Sequence, residues 1–278
     1  MKGCVKMSIN FDLHVHSTLS DGISSRDDLI KTALDNNILY LSFTDHNICE
    51  SVTSLYNNIT IINGIEIDCN YNNKSIHLLA YGVNDLKKLN GYLRQIKLEN
   101  DYICRAAIKI LEYKYGIVID DNDIKKYTKD LLNKRIIAKI LLEKFNVDDV
   151  DFIYKNFIGS RSQSYIVQKK LQVKETIDIL KSLNSIIVLA HPMTLLNQCS
   201  SIIEFESIVK VFLNYGLNGL EVINPKNSIE FSNYLDTNSL FIDCIKTAGT
   251  DYHGNAKDYN GINYGSEKYL APLLKVMG

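Results

Sequence analysis

The chain has 278 residues, 46% of them hydrophobic and 23% charged, with a formal net charge of −1. That apolar fraction supports a sizeable core and excludes a disordered chain. No run of about 18 apolar residues occurs, which excludes a membrane-spanning helix; residues 1–7 lack the apolar stretch of a signal peptide, so a cytoplasmic location is expected. In chain order, short apolar runs predict strands at 11–15, 39–44, 61–67 and 76–81, then at 186–190, 218–223 and 245–250. They are rich in Ile, Val and Leu and mostly do not alternate, which suits strands buried on both faces of a parallel sheet. Amphipathic segments at 25–36, 174–184, 202–215 and 227–238 predict helices between them. Ser25 followed by Asp28 is a capping signal for the first. Seven strands with interleaved helices predict an α/β fold, a distorted (β/α)7 TIM-like barrel.

Residues 84–172 break the rhythm. Helical patterns run over 84–115, 121–131, 134–145 and 148–156, with no buried strand expected. The predicted organisation is a barrel from 8–83 and 173–278, with 84–172 as a helical insert that caps its mouth. Residues 87–175 carry 19 Lys/Arg against 12 Asp/Glu, and the remainder 12 against 20. A basic insert on an acidic body suits an anionic substrate, although a solvated helical surface has the same composition. Six cysteines stand at 4, 49, 69, 104, 199 and 244, with no Cys-x-x-Cys pair. They read as reduced thiols, mostly small buried hydrophobes.

The chemistry gathers at the strand ends. The six histidines are His14, His16, His46, His77, His191 and His253, each in or beside a predicted strand, and the insert has none. His14 and His16 share one side of an extended segment, as do Asp251 and His253. Asp21, Asp45 and Glu66 accompany them. In a βα barrel the C-terminal strand ends meet at one mouth. Imidazole and carboxylate without thiolate suit Zn, Mn or Fe rather than a Cys-rich structural zinc.

The stretches His14-Val15-His16-Ser17, Ser20-Asp21-Gly22, Thr44-Asp45-His46-Asn47, Gly64-Ile65-Glu66, His77-Leu78-Leu79-Ala80, Ala190-His191-Pro192 and Gly249-Thr250-Asp251-Tyr252-His253 resemble the PHP family, named for polymerase and histidinol phosphatase. The resemblance covers 10–83 and 174–255 in the expected order. It implies a trinuclear site with nine ligands, in which two to three divalent cations (Mn, Fe or Zn) are expected. One ion would take His14, His16, Glu66 and Asp251; a second Asp21, His46 and His253; a third would share Glu66 and add His77 and His191. Such cations outweigh the three carboxylates and call for an anion. Phosphate fits, with a water activated by the metal cluster attacking phosphorus in line.

The same resemblance points to a subgroup acting on nucleoside 3′,5′-bisphosphates and short oligoribonucleotides. That subgroup carries Arg-Pro-His-Ile-Ala on its insert, where this chain has Lys134-Arg135-Ile136-Ile137-Ala138. Lys134 or Arg135 is therefore a candidate substrate-phosphate contact, or only an exposed helix start. Asp45 is a candidate partner for a ligand imidazole or a loop cap, and Glu221 a candidate support or substrate contact at the same mouth. The expected substrate is a phosphorylated small molecule or short RNA, with no membrane partner and no stable nucleic-acid complex. Three alternatives stay open: a phosphatase for a metabolite such as histidinol phosphate, a non-catalytic nucleic-acid-associated module, and metal-dependent C–N bond hydrolysis.

Overall fold

The structure, a computed structural model, describes residues 9–50, 52–128, 130–261 and 267–277. The chain divides into two compact units, one running up to Asn90 and again from Leu171 onward, the other Gly91–Lys170.

The first unit opens with β1 (Asn10–Val15), α1 (Arg26–Asp35), β2 (Ile38–Phe43), β3 (Ser54–Tyr56), β4 (Ile59–Tyr71) and β5 (Lys74–Tyr81). Ser25 caps α1 as its spacing predicts: the Asp28 amide donates to Ser25 Oγ at 3.1 Å. That satisfies one of the donors a helix start leaves open. Leu29 and Ala33 of α1 pack with Val15, Leu41, Phe43 and Ile59 of the strands.

The helix α2 (Leu86–Tyr115) continues into the second unit, which holds α3 (Asp121–Tyr127), α4 (Lys134–Phe145) and α5 (Val150–Ile153). A single π-helical turn, Tyr154–Ile158, extends α5. Leu111, Ile124, Ile137, Leu141, Ile153 and Ile158 form its core.

The chain then adds β6 (Leu171–Gln172), α6 (Val173–Ser182), β7 (Ile186–Leu189), α7 (Met193–Leu196), α8 (Ile202–Tyr215), β8 (Gly219–Ile223), α9 (Ile229–Thr237), β9 (Ile245–Ala248) and α10 (Ala271–Met277). Among the described residues no helix is long and apolar enough to cross a membrane. None of Cys49, Cys69, Cys104, Cys199 and Cys244 forms a disulfide, and Cys4 lies outside the described residues, as do residues 1–7 as a whole.

Strand order is β1-β2-β4-β5-β7-β8-β9, with β3 and β6 paired to β4. The sheet is mixed, not wholly parallel: β5 runs antiparallel to both β4 and β7. The cause is local. Asn72 and Asn73, with φ of 47° and 64°, make a two-residue hairpin turn that leaves no room for a crossover helix. β3 and β6 were not expected. Every residue of β3 is exposed, and β6 has two residues, so neither shows an apolar pattern. An isolated parallel bridge pairs Val15 at the end of β1 with Tyr252 beyond β9.

Candidate metal centre

Strand pairing gathers the site. His14 lies in β1 and His16 one residue past it; both are buried. The bridge at Val15 brings Asp251 and His253 beside them, with the His16 amide donating to the Tyr252 carbonyl at 2.9 Å. A second isolated bridge sets His46, after β2, opposite Glu66 in β4. His77 faces Asp68 across the β4–β5 register, and His191 follows β7.

The ligand-type atoms form groups in which every atom lies within 4.8 Å of the others: His14, His16, Glu66 and Asp251; His16, Asp21, His46 and His253; Glu66, His77 and His191; and His46, Asp68 and His77. All nine side chains that the family resemblance implies as ligands lie within these groups. His191 and Asp251 adopt positive φ of 27° and 54°, conformations costly for residues with a Cβ and held here by the packing around them.

The imidazoles point bare nitrogens inward. A neutral ring carries one N–H. His253 Nδ1 lies 2.7 Å from the Asp251 carbonyl oxygen, which only accepts, so Nδ1 holds the proton. The Thr194 hydroxyl donates to the His191 carbonyl at 3.0 Å and therefore accepts from His191 Nδ1 at 3.0 Å. Ser20 Oγ donates to Asp45 at 2.8 Å and accepts from His16 Nδ1 at 3.4 Å. His14 Nδ1–H donates to Glu221 Oε1 at 2.9 Å. Four Nε2 lone pairs then meet oxygen or one another. His14 and His16 Nε2 are 3.1 Å apart, His191 Nε2 is 3.0 Å from Glu66 Oε1, and His253 Nε2 is 3.2 Å from Asp21 Oδ1. Lone pairs at such distances repel unless positive charge sits between them.

Buried acids state the same demand. Glu66 Oε2 and Asp251 Oδ1 are buried and make no hydrogen bond, though His14 and His16 Nε2 lie within 3.5 Å of both. Without metal, protons meet the demand. Burial opposes a charge on His14, but the carboxylates of Glu221 and Glu66 outweigh it and raise its pKa well above the usual imidazole value. Burial likewise opposes a charge on His16, and its contacts with Asp251 and Glu66 carry it up to about 8. Burial pushes Glu66 up, yet His46, His77 and His14 hold it well below the carboxylate range. Asp251 is lowered too, against its burial, by His16, His14 and Lys226. Nitrogen and oxygen donors without thiolate fit divalent cations such as Zn, Mn or Fe.

Supporting residues hold the ligands. Besides His14, Glu221 accepts from the His191 amide at 2.8 Å and from Asn224 Nδ2 at 3.0 Å. Gly249 permits that approach: a Cβ there would lie 2.2 Å from His14 Cβ and 2.8 Å from Glu221 Oε1. Asp45 accepts from the Ser17 amide, Ser20 and Arg26, and is linked to His16 through Ser20. Lys134 and Arg135 open α4 in the second unit. The Lys134 ammonium lies over the Tyr154 and Tyr165 rings and donates to the Ile166 carbonyl at 3.3 Å. Its half-buried position lowers its pKa.

Three residues at the site escaped the sequence reading. Asp12, buried and pushed up to about 6 by that burial, accepts from the amides of His14 and Thr250. Lys226 contacts Asp251 Oδ2 from a loop with no periodic signal. Asp68 touches both His46 and His77, and its Glu66-Ile67-Asp68 spacing carried the same signal as His14-Val15-His16.

Known proteins bear on this arrangement. A 5′-3′ exoribonuclease from Haemophilus influenzae is 22% identical over 89% of this chain and 91% of its own. A 3′,5′-nucleoside bisphosphate phosphatase from Chromobacterium violaceum is 20% identical over 96% of this chain and 94% of its own. A solved structure from Bifidobacterium adolescentis, described as a metal-dependent phosphoesterase, superposes with a TM-score of 0.77 at 19% identity over 97% of this chain and 96% of that one, a likeness of fold. The PHP domain profile matches residues 12–212, most of the chain, and the chain belongs to the PHP family.

Proposed function

We propose that the chain is a metal-dependent phosphoesterase that hydrolyses a small nucleotide, such as a nucleoside bisphosphate, or a short oligoribonucleotide. We read its mixed sheet as a distorted (β/α)7 barrel, on the strength of the Val15–Tyr252 bridge between the first and last strand ends. The names of the two distant relatives support the substrate class. The observation that carries the chemistry is the convergence of imidazole Nε2 atoms on one another and on buried carboxylate oxygens.

Bound cations would supply Lewis acidity toward phosphate oxygens and toward an attacking water. His14, His16, Glu66 and Asp251 would hold one, Asp21, His46 and His253 another, and Glu66, His77 and His191 a third. Glu221 keeps the Nδ1 proton of His14 outward, so that Nε2 stays a donor to the cluster. Nearby hydroxyls are already committed: Ser17 and Ser20 donate to Asp45, Thr194 to the His191 carbonyl and Thr250 to Asp12. Each of these described hydroxyls thus has a holding role, and water is the nucleophile we propose. Lys226 neutralises Asp251 while no metal is bound. About half exposed, its side chain is then in place to meet a phosphate oxygen.

A phosphate-release screen with added Mn²⁺ tests the proposal, using nucleoside 3′,5′-bisphosphates, mononucleotides, short RNA, sugar phosphates and histidinol phosphate. Turnover should be greatest on a bisphosphate or short RNA. Preference for histidinol phosphate or a sugar phosphate would contradict the substrate class, and no turnover on any ester would contradict the reaction.

A further inference from the structure

We infer that Asp68 is a positioning residue that fixes the tautomers of His46 and His77, turning His77 over relative to the other histidines of the site. The inference rests on the proposed metal centre and adds to it a residue outside the ligand set.

Backbone pairing places Asp68 where it can do this. It follows Glu66 by two residues on β4, so both carboxylates project from the same face of the strand. Asp68 pairs directly with His77 across the antiparallel β4–β5 ladder, and Glu66 is bridged to His46. Each ring therefore lies between the two acids. His46 presents Nε2 to Glu66 Oε2 and Nδ1 to Asp68 Oδ1, both at 3.2 Å. His77 presents Nδ1 to Glu66 Oε1 at 2.9 Å and Nε2 to Asp68 Oδ1 at 3.2 Å. The rings stand edge to face, 5.3 Å between centroids, with one carboxylate oxygen serving both.

Proton counting decides the roles. A ring that offers a lone pair to cations around Glu66 must carry its single proton on the opposite nitrogen. For His46 that nitrogen is Nδ1, and for His77 it is Nε2; each faces Asp68 Oδ1. Both nitrogens stand at ion-pair distance, 3.2 Å, from that oxygen, and a carboxylate oxygen with its two lone pairs can take both N–H groups. A cation between the same three atoms would instead require both rings to give up their only proton. The carboxylate is itself held: Asn47 Nδ2 donates to Asp68 Oδ2, and the Asp68 amide donates to Asn47 Oδ1, each at 3.1 Å. His14, His16, His191 and His253 all carry the proton on Nδ1. His77 is the ring that must differ. Because His46 and His77 belong to different proposed ion sites, Asp68 links the geometry of the two.

The test uses the full chain loaded with Zn²⁺, which is diamagnetic. In ¹⁵N-histidine NMR of the native protein, His77 should show the Nε2–H tautomer and His46 the Nδ1–H tautomer. Asp68→Ala and Asp68→Asn should then weaken Zn²⁺ binding, read by chelator competition, by about 10- to 100-fold for Ala and less for Asn, which keeps an uncharged acceptor. The number of ions bound at saturating Zn²⁺ should not change. If Asp68→Ala fails to fold, the isosteric Asp68→Asn and the native spectrum decide the matter. His77 on Nδ1–H, Zn²⁺ affinity within twofold of native in either folded variant, or the loss of one whole ion at saturation would overturn the assignment. In each of those cases the native chain still binds Zn²⁺. A native chain that binds none would remove the metal centre itself, and the inference with it.

Discussion

His14 Nδ1 lies 2.9 Å from Glu221 Oε1 inside a fully buried pair, while the other oxygen of Glu221 accepts from the His191 amide and Asn224. One carboxylate thereby orients a ring from β1 and the backbone of a ring after β7. Glu221→Gln preserves shape but replaces one acceptor with an NH₂ group, which must face either the His14 N–H or the His191 N–H. We predict a loss of about 10- to 100-fold in Zn²⁺ affinity by chelator competition. Unchanged affinity would show that the pair does not orient the ligand.

Gly249 is a matter of space. Its missing Cβ lets His14 and Glu221 approach the chain. Gly249→Ala should destabilise the protein by about 1–3 kcal/mol, the usual cost of overpacking, and should reduce metal content further than that loss of stability explains. Thermal denaturation with and without Zn²⁺ measures both. An unaltered melting temperature would mean that the loop gives way freely.

The pH dependence of the metal-free protein has a defined sign. His16 rises from 6.5 to about 8 on folding, because its contacts with Asp251 and Glu66 outweigh burial. Its contribution, on the order of 2 kcal/mol, is complete below pH 6.5 and lost as pH rises through 8. Zn²⁺ needs the unprotonated nitrogen, so stabilisation by the metal grows over the same interval. Melting curves without metal should fall between pH 6.5 and 8, while the increment from Zn²⁺ rises. Parallel trends in the two series would contradict this.

Lys226 gives a prediction about substrate. Removing its ammonium in Lys226→Ala frees Asp251 from a competing cation, so metal binding should hold or tighten. Inhibition by inorganic phosphate should weaken about tenfold, the worth of one charge-assisted contact. An unchanged inhibition constant would show that Lys226 serves Asp251 alone.

Lys134 and Arg135 are separable from the centre by kinetics. If they bind a second phosphate, the Lys134→Ala/Arg135→Ala double variant should raise KM for bisphosphates more than for monophosphates. Equal effects would fit the alternative seen in the structure, where the Lys134 ammonium is engaged by Tyr154, Tyr165 and Ile166 of its own unit.

How much of this was legible depended on what the residues encode. His14 and His16, or Asp251 and His253, stand out because scarce chemical types recur at strand ends, where a sheet brings distant segments together. The Ser25–Asp28 cap was visible because capping is local. The reversal of β5 was written in Asn72-Asn73, but an apolar run shows burial and not direction. Asp68 had a readable spacing from Glu66, yet its importance depends on a cross-strand partner, His77, which the register supplies. Lys226 had no signal, since a loop lysine reads as surface until the fold brings Asp251 to it.

Elemental analysis of active protein purified without chelator decides whether these histidines and carboxylates hold metal. It should find about two to three divalent transition-metal ions per chain, and fewer in His16→Ala or Asp251→Ala. An active preparation containing none would contradict the metal centre.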